Sequence, residues 1–575
     1  VSPDSLSVVV PDSMQMNANL TFKGPQYQAH LDLQEAEGLL NLNAKLNAST
    51  LAYEADLLVD SLELTHFLPQ DSLSLLTTTI KASGKGFDLA SPKTKADIQA
   101  VLNHLHYGHW KFDKMQMHAG LNQSVASLKV DSDNELLKLK LDGNMRFDRT
   151  YLDGTLDMDV NQVDLYGLGI APKPLKRPFA FTVASEARHD SVKLQLNAGD
   201  MNFRFRARST LKKMIEQGNE FATLLMQQID ERKLNHAALR ELMPSAGFHL
   251  KAGKDNPISY FLATKDISYD DFRLSFGLTP QTGINGRASV HGFRMDSLQM
   301  DTIYILTKQD TTHLRLQAGI INAPGHPHVA FNASLTGEVR NDDAELLLNF
   351  TDGNGETGIN FGLNARPLTE GNGKGNGMLL RITPEEPIVA FRKFHFVDNA
   401  NWAYIHKNMR AYANIDMEGE DGLGFKMLSN QQDTVSLQNM NIELSRLNLD
   451  LLSDVLPYMP RIGGLFTIET HYVQTESSLQ LSADSNIEQF SYEGRLVGDI
   501  GLGATWLPAD DNRHFLNAYM LANDQEVIMA DGELQVTDNQ QRIDLNTMVD
   551  HVPLAMLNVF VTDVMITVTG SLIGG

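Results

Sequence analysis

The groups in this 575-residue chain that could do chemistry are its 18 histidines and 71 acidic side chains; cysteine is absent. Without thiols there are no disulfides, no Cys-ligated zinc, no iron–sulfur cluster and no thiol nucleophile. The densest histidine cluster is His104-Leu105-His106-Tyr107-Gly108-His109. On a strand, His104 and His106 share a face, as two metal ligands must. His326-Pro327-His328 is a second, weaker pair. Neither has a carboxylate at convincing spacing, so both read as surface histidines and no metal site is assigned. The paired acids Asp342-Asp343, Glu385-Glu386 and Asp510-Asp511 sit in turn-like contexts. Adjacent strand residues face opposite sides, so such pairs do not converge on one substrate. The glycine-rich run Gly371–Gly377 lacks the Gly-Lys-Ser/Thr ending of a phosphate loop, and no nucleophile elbow or His-Glu-x-x-His helix occurs. The sequence therefore predicts a non-enzymatic protein without catalytic residues or cofactors.

With 48 basic residues against 71 acidic ones, the formal net charge is -23, which argues against a nucleic-acid partner. Aromatics make up only 7%, too few for a base-stacking platform. No window offers the roughly 20 apolar residues of a membrane helix. The chain begins at Val1 and ends at Gly574-Gly575, and reads as a slice of a longer protein; any anchor or export signal of that protein would lie outside it.

The elements that would position any site show a period of two. Leu137, Leu139 and Leu141 alternate with Lys138 and Lys140, and Leu156, Met158 and Val160 with Asp157 and Asp159. Each run has one apolar and one charged face. The same grammar returns at Val192, Leu194, Leu196; at Leu346, Leu348, Phe350; at Ile359, Phe361, Leu363; at Leu479, Leu481; and at Leu534, Val536. Asp142-Gly143, Asp153-Gly154, Asp352-Gly353 and Asp531-Gly532 read as hairpin turns between such runs. The pattern predicts a mostly β chain, a long antiparallel meander that coils about one axis, in two stretches, 1–208 and 244–575.

Between them, 209–243 has apolar residues at helical spacing (Leu211, Met214, Ile215, Phe221, Leu225, Ile229), with Ser209 as cap, Pro244 as stop, and Gly218 and Asn235 marking kinks or a division into two helices. Three Leu-rich turns precede new strands: Leu64, Phe67, Leu68; Leu449, Leu452, Leu456; and Leu554, Leu557.

If the sheet is single and curved, its apolar side lines a groove that side chains or an apolar ligand must fill. The candidate lining is Leu137, Leu139, Leu141, Leu194, Leu196, Leu346, Leu348, Phe350, Ile359, Phe361, Leu363, Leu479, Leu481, Leu534 and Val536. The 23 methionines would suit irregular apolar guests or serve as core filler.

The long cysteine-free alternation, the Leu-Pro turns followed by Gly-x-Gly strands (Leu447 to Trp506 and Asp550 to Gly575 above all), and the interposed helical segment resemble the TamB (translocation and assembly module) family. That family is related to the AsmA-like proteins and similar in architecture to bridge-like lipid transfer proteins. The resemblance implies a U-shaped, taco-like β-groove in the periplasm, tethered to the inner membrane through a segment outside this sequence. It implies a role in cell-envelope biogenesis: carrying phospholipids by their acyl chains between membranes, assisting outer-membrane protein assembly, or both. It also implies a partner of the Omp85 type. Two other classes remain open on the residues: a structural or adhesive β-solenoid with a packed core, and a β-helical polysaccharide enzyme, which the antiparallel turn signals disfavour.

Overall fold

The structure, a computed structural model, describes residues 11, 13–68, 72–147, 152–231, 234–296, 298–325, 329–368, 377–406, 409–509, 513–537, 540–553 and 571–574. Thirty-four strands are assigned to one antiparallel sheet, which is not closed into a barrel. The alternating pattern thus yields the mostly β meander it predicts. The first seventeen strands are β1 (Gln15–Lys23), β2 (Gln26–Glu35), β3 (Gly38–Asn47), β4 (Ala52–Glu63), β5 (Leu73–Lys85), β6 (Lys95–Tyr107), β7 (Trp110–Asn122), β8 (Val125–Asp133) and β9 (Leu137–Phe147). They continue with β10 (Leu152–Val163), β11 (Phe179–Arg188), β12 (Ser191–Ala198), β13 (Met201–Ala207), β14 (Ala246–Ala252), β15 (Ile267–Ser268), β16 (Asp271–Thr279) and β17 (Gly283–Met295). The remaining strands run from Leu298–Gln309 to Ser571–Gly574.

The chain divides into two compact units. The first comprises residues up to Met226, with Ala237–Gln299 and Lys308–Thr311; the second comprises Gln227–His236, Met300–Thr307 and the residues from Thr312 onward. The division falls mainly after β17. Because Gln227–His236 belong to the second unit, it also falls within the helical segment, where the sequence pattern places it. That segment forms α1 (Leu211–Asp230) and α2 (His236–Glu241), separated near Asn235, whose N–H bonds the Gln228 side chain at 2.7 Å. Thr210, not Ser209, caps α1: its hydroxyl accepts from the Lys213 N–H at 3.0 Å. Two further helices are α3 (Pro257–Ala263), capped by Asn256, and α4 (Leu449–Asp454), capped by Asn448.

Of the four Asp-Gly pairs, only Asp352-Gly353 lies where one strand ends and the next begins. Asp142-Gly143, Asp153-Gly154 and Asp531-Gly532 run straight through strands. Gly143 and Gly532 lie on the apolar face beside leucines, where an added Cβ would meet Leu156 at 3.0 Å and Leu545 at 2.8 Å. The glycine makes room for a large neighbour there and does not reverse the chain. Of the Leu-rich turns, the first is a 3-10 helix at Leu64–His66 and the second is α4; Leu554 and Leu557 lie outside the described residues.

Candidate functional site

In the first unit, backbone register aligns side chains into rows that cross the strands. One row reads Ala18, Leu31, Leu42, Leu57, Ile80, Ala100, Met117, Val130, Leu141, Met158, Val183, Leu196, Phe203, Leu250, Leu274, Ala288. It crosses β1 to β14, β16 and β17, and every member is apolar. A second row, two residues along, runs from Leu20 through Ala44, Leu128, Leu156 and Leu194 to Phe248 and Phe276. A third passes Tyr53, Leu121, Met145 and Val192, and a fourth passes Leu33, Leu40, Val59, Leu139 and Val160. Four rows span six residues of strand, about 20 Å. The bulges in these strands lie beyond the row of Val59 and Val160, so the other three keep their parity.

The neighbouring residues point the other way and are polar: Asn43, Asp56, Lys81, Gln99, His118, Lys129, Asp142 and Asp157 stand in register. Here exposed charges pair, Lys129 with Asp142 at 3.3 Å and His118 with Asp97 at 2.8 Å. The His118 hydrogen bond holds the Asp97 carboxyl below the usual carboxylate range. A cavity of about 890 Å³ opens among these residues and includes Gln99, His118, Lys129, Asp142 and Asp157. Its lining also includes Ala100, Met117, Val130, Leu141, Met158 and Val183 of the central row.

The middle of the apolar face is open, although Val59, Leu121, Val160 and Val192 in the flanking rows are buried. No member of the central row is buried; fourteen are half-buried, and Ala18 and Met117 are exposed. Sequence alternation places Leu139, Leu141, Leu194 and Leu196 on this face, and Leu137 continues it opposite Val163. The residues from β1 to β7 that begin the rows escaped the sequence reading, although Leu31, Leu33 and Leu40, Leu42 alternate as clearly.

In the second unit, Leu346, Leu348 and Phe350 face Leu363, Phe361 and Ile359 across one strand pair. Leu346, Leu348 and Leu363 are exposed. Phe350 is not available to a groove: it is buried, stacks on Phe331 at 5.6 Å, and clusters with Val455 just beyond α4. Phe361 packs against the buried cluster of Ile382, Phe394, Ile415, Met417 and Leu423. Leu481 lies between Tyr472 and Trp506, Leu479 opposite Gln474, and Leu534 between His514 and Ile543. Val536 pairs with Gln541 by backbone register.

Of the histidine candidates, His104 lies opposite Asp113, His106 opposite Lys111, and His109 packs on Trp110 with ring centroids 4.9 Å apart. Among the described residues, no group of three or more metal-ligating side chains comes together. His326, His328, Asp510, Asp511 and Gly371 to Asn376 lie outside them. Glu386 pairs with Lys393 at 3.0 Å as exposed charges do, whereas Asp343, paired with Arg340 at 3.1 Å, keeps only 10% of its side chain exposed and is not a solvated turn charge. Among the described residues, no helix is long and apolar enough to cross a membrane. Comparison with protein-family models, curated proteins and solved structures finds no match.

Proposed function

We propose that the chain is a non-enzymatic β-sheet conduit that shelters phospholipid acyl chains in the periplasm, as part of a longer protein of cell-envelope biogenesis, with the TamB-like resemblance as its nearest analogy. The observation that carries this reading is the central row of the first unit: sixteen consecutive apolar positions, none of them buried. Wet apolar surface costs about 25 cal/mol per Å², and large exposed apolar patches on soluble proteins mark interaction sites. Four parallel rows offer a band without a fixed polar register, which suits a flexible chain that slides better than a partner that locks. A second reading, a scaffold with a filled interior, draws support from the Phe331–Phe350–Val455 cluster of the second unit.

Mass spectrometry of an organic extract of the purified chain tests the reading. Phospholipid should co-purify. Leu141→Asp and Leu196→Asp should reduce the bound amount several-fold, and Lys129→Asp on the opposite face should not. A lipid-free extract, or equal occupancy in all three variants, overturns the proposal in favour of the scaffold.

A further inference from the structure

We propose that the polar face of β13, β14, β16 and β17 is a binding site for a ligand carrying two or more phosphate groups. The site lies on the face opposite the apolar rows and does not depend on the lipid reading. In a chain of net charge -23, six cationic or protonatable side chains gather here: Arg204, Arg206, His249, Lys251, Arg273 and Arg287. Register puts Arg204 opposite His249, His249 opposite Ser275, and Ser275 opposite Arg287; Lys251 lies opposite Arg273. No bulge interrupts these pairings, so all six project from one face. Two cavities of about 420 and 440 Å³ open among them, and both include Arg204 and His249.

Three of the carboxylates nearby are already engaged; a fourth, Asp157 on β10, lines a neighbouring cavity with Arg204 and Arg206 and is the one acid a ligand would have to compete with. Asp271, the one acid on this face of the four strands, accepts from Arg273 Nε at 2.6 Å. Glu186, on β11, is held by Lys193 at 2.9 Å and by Arg188. Asp270 is held by Arg294 at 2.8 Å and Lys254 at 2.9 Å. Among the described residues, Arg204, Arg206, Lys251 and Arg287 have no carboxylate within ion-pair distance. Like charges on facing strands, about 5 Å apart, destabilise a sheet unless a counter-charge sits between them. Guanidinium groups present a planar fork that matches phosphate oxygens two at a time, and arginine dominates this cluster.

The test is calorimetric titration with pyrophosphate, beside co-sedimentation with phosphatidylcholine vesicles with and without cardiolipin, whose headgroup carries two phosphates. Pyrophosphate should bind saturably and weaken with salt. Arg204→Gln combined with Arg287→Gln should weaken it by at least about tenfold. Lys45→Gln, on the same face but distant in strand order, should leave it unchanged, and Arg206→Gln alone gives an independent reading should the double variant fold poorly. Vesicle binding that requires cardiolipin and is displaced by pyrophosphate assigns the phosphates to a lipid headgroup; pyrophosphate binding without vesicle binding assigns them to a soluble ligand. Binding to neither probe, or undiminished binding by the arginine variants, overturns the site. Tighter binding of a single-stranded oligonucleotide than of either probe also overturns it.

Discussion

The two units use the same alternating sequence and reach different interiors. In the first, register holds along the central row across sixteen strands, and that row stays half-buried or exposed. Burial on the same face is confined to flanking positions such as Val59, Leu121, Val160 and Val192 and to the small cluster of Ala198, Met201 and Ala252. In the second, the ladder shifts register between the strands Thr357–Leu368, Gly377–Val389, Arg392–His406 and Ala411–Gly419. There Ile382, Phe394, Ile415, Met417 and Leu423 form a buried cluster. A bulge re-aims the side chains around it, so apolar residues that would stand in a row converge instead. Along the central row, where the register runs true, no apolar side chain is fully covered.

The largest expected effect contrasts identical substitutions. Phe350→Ala in the second unit should cost about 3–5 kcal/mol, because it leaves a cavity in a sealed cluster. Phe203→Ala in the open row should cost about 1–2 kcal/mol, because its side chain is only half-buried. Denaturant unfolding of both variants measures this, and equal losses would erase the distinction between the units. Next is Asn401. Its side chain accepts from the Ile382 N–H at 2.8 Å and donates to the Ile382 carbonyl at 2.9 Å, doing at the bulge what a neighbouring strand does elsewhere. Asn401→Ala leaves both groups unpaired in a partly buried setting, with an expected loss of about 1–3 kcal/mol by the same measurement.

The smallest effect is electrostatic. Arg294 and then Lys254 hold the Asp270 carboxyl down to about 2. A carboxyl depressed in the folded state adds stability above its unfolded value, near 4, and loses it as pH falls toward 2. The groups are partly exposed, so Asp270→Asn should cost less than about 1 kcal/mol at neutral pH and nothing below pH 2. Thermal unfolding across that window checks the sign.

Strand parity was legible because alternation is local: Leu137 to Leu141 and Leu194 to Leu196 announce their common face from the sequence alone. Turns were less legible. Asp142-Gly143 carries the hairpin signature, yet its glycine answers to Leu156 on another strand, which no local rule sees. The sealing of Phe350 beside α4 joins residues about a hundred positions apart, Phe350 and Val455, and has no periodic trace. The arginine cluster was half-visible: Arg204, Arg206 and Arg208 alternate openly, but only register adds Arg287 to them.

One consequence of the meander concerns how such a chain acquires its structure. From β1 through β14 each strand pairs with its immediate predecessor. No strand in that series waits for a distant one. Closing short loops is fast, and a topology made of local pairings avoids the slow search that non-local sheets require. A chain delivered end-first, from a ribosome or through a narrow pore, can add one strand at a time to a growing edge, with the most recent strand always serving as the template for the next.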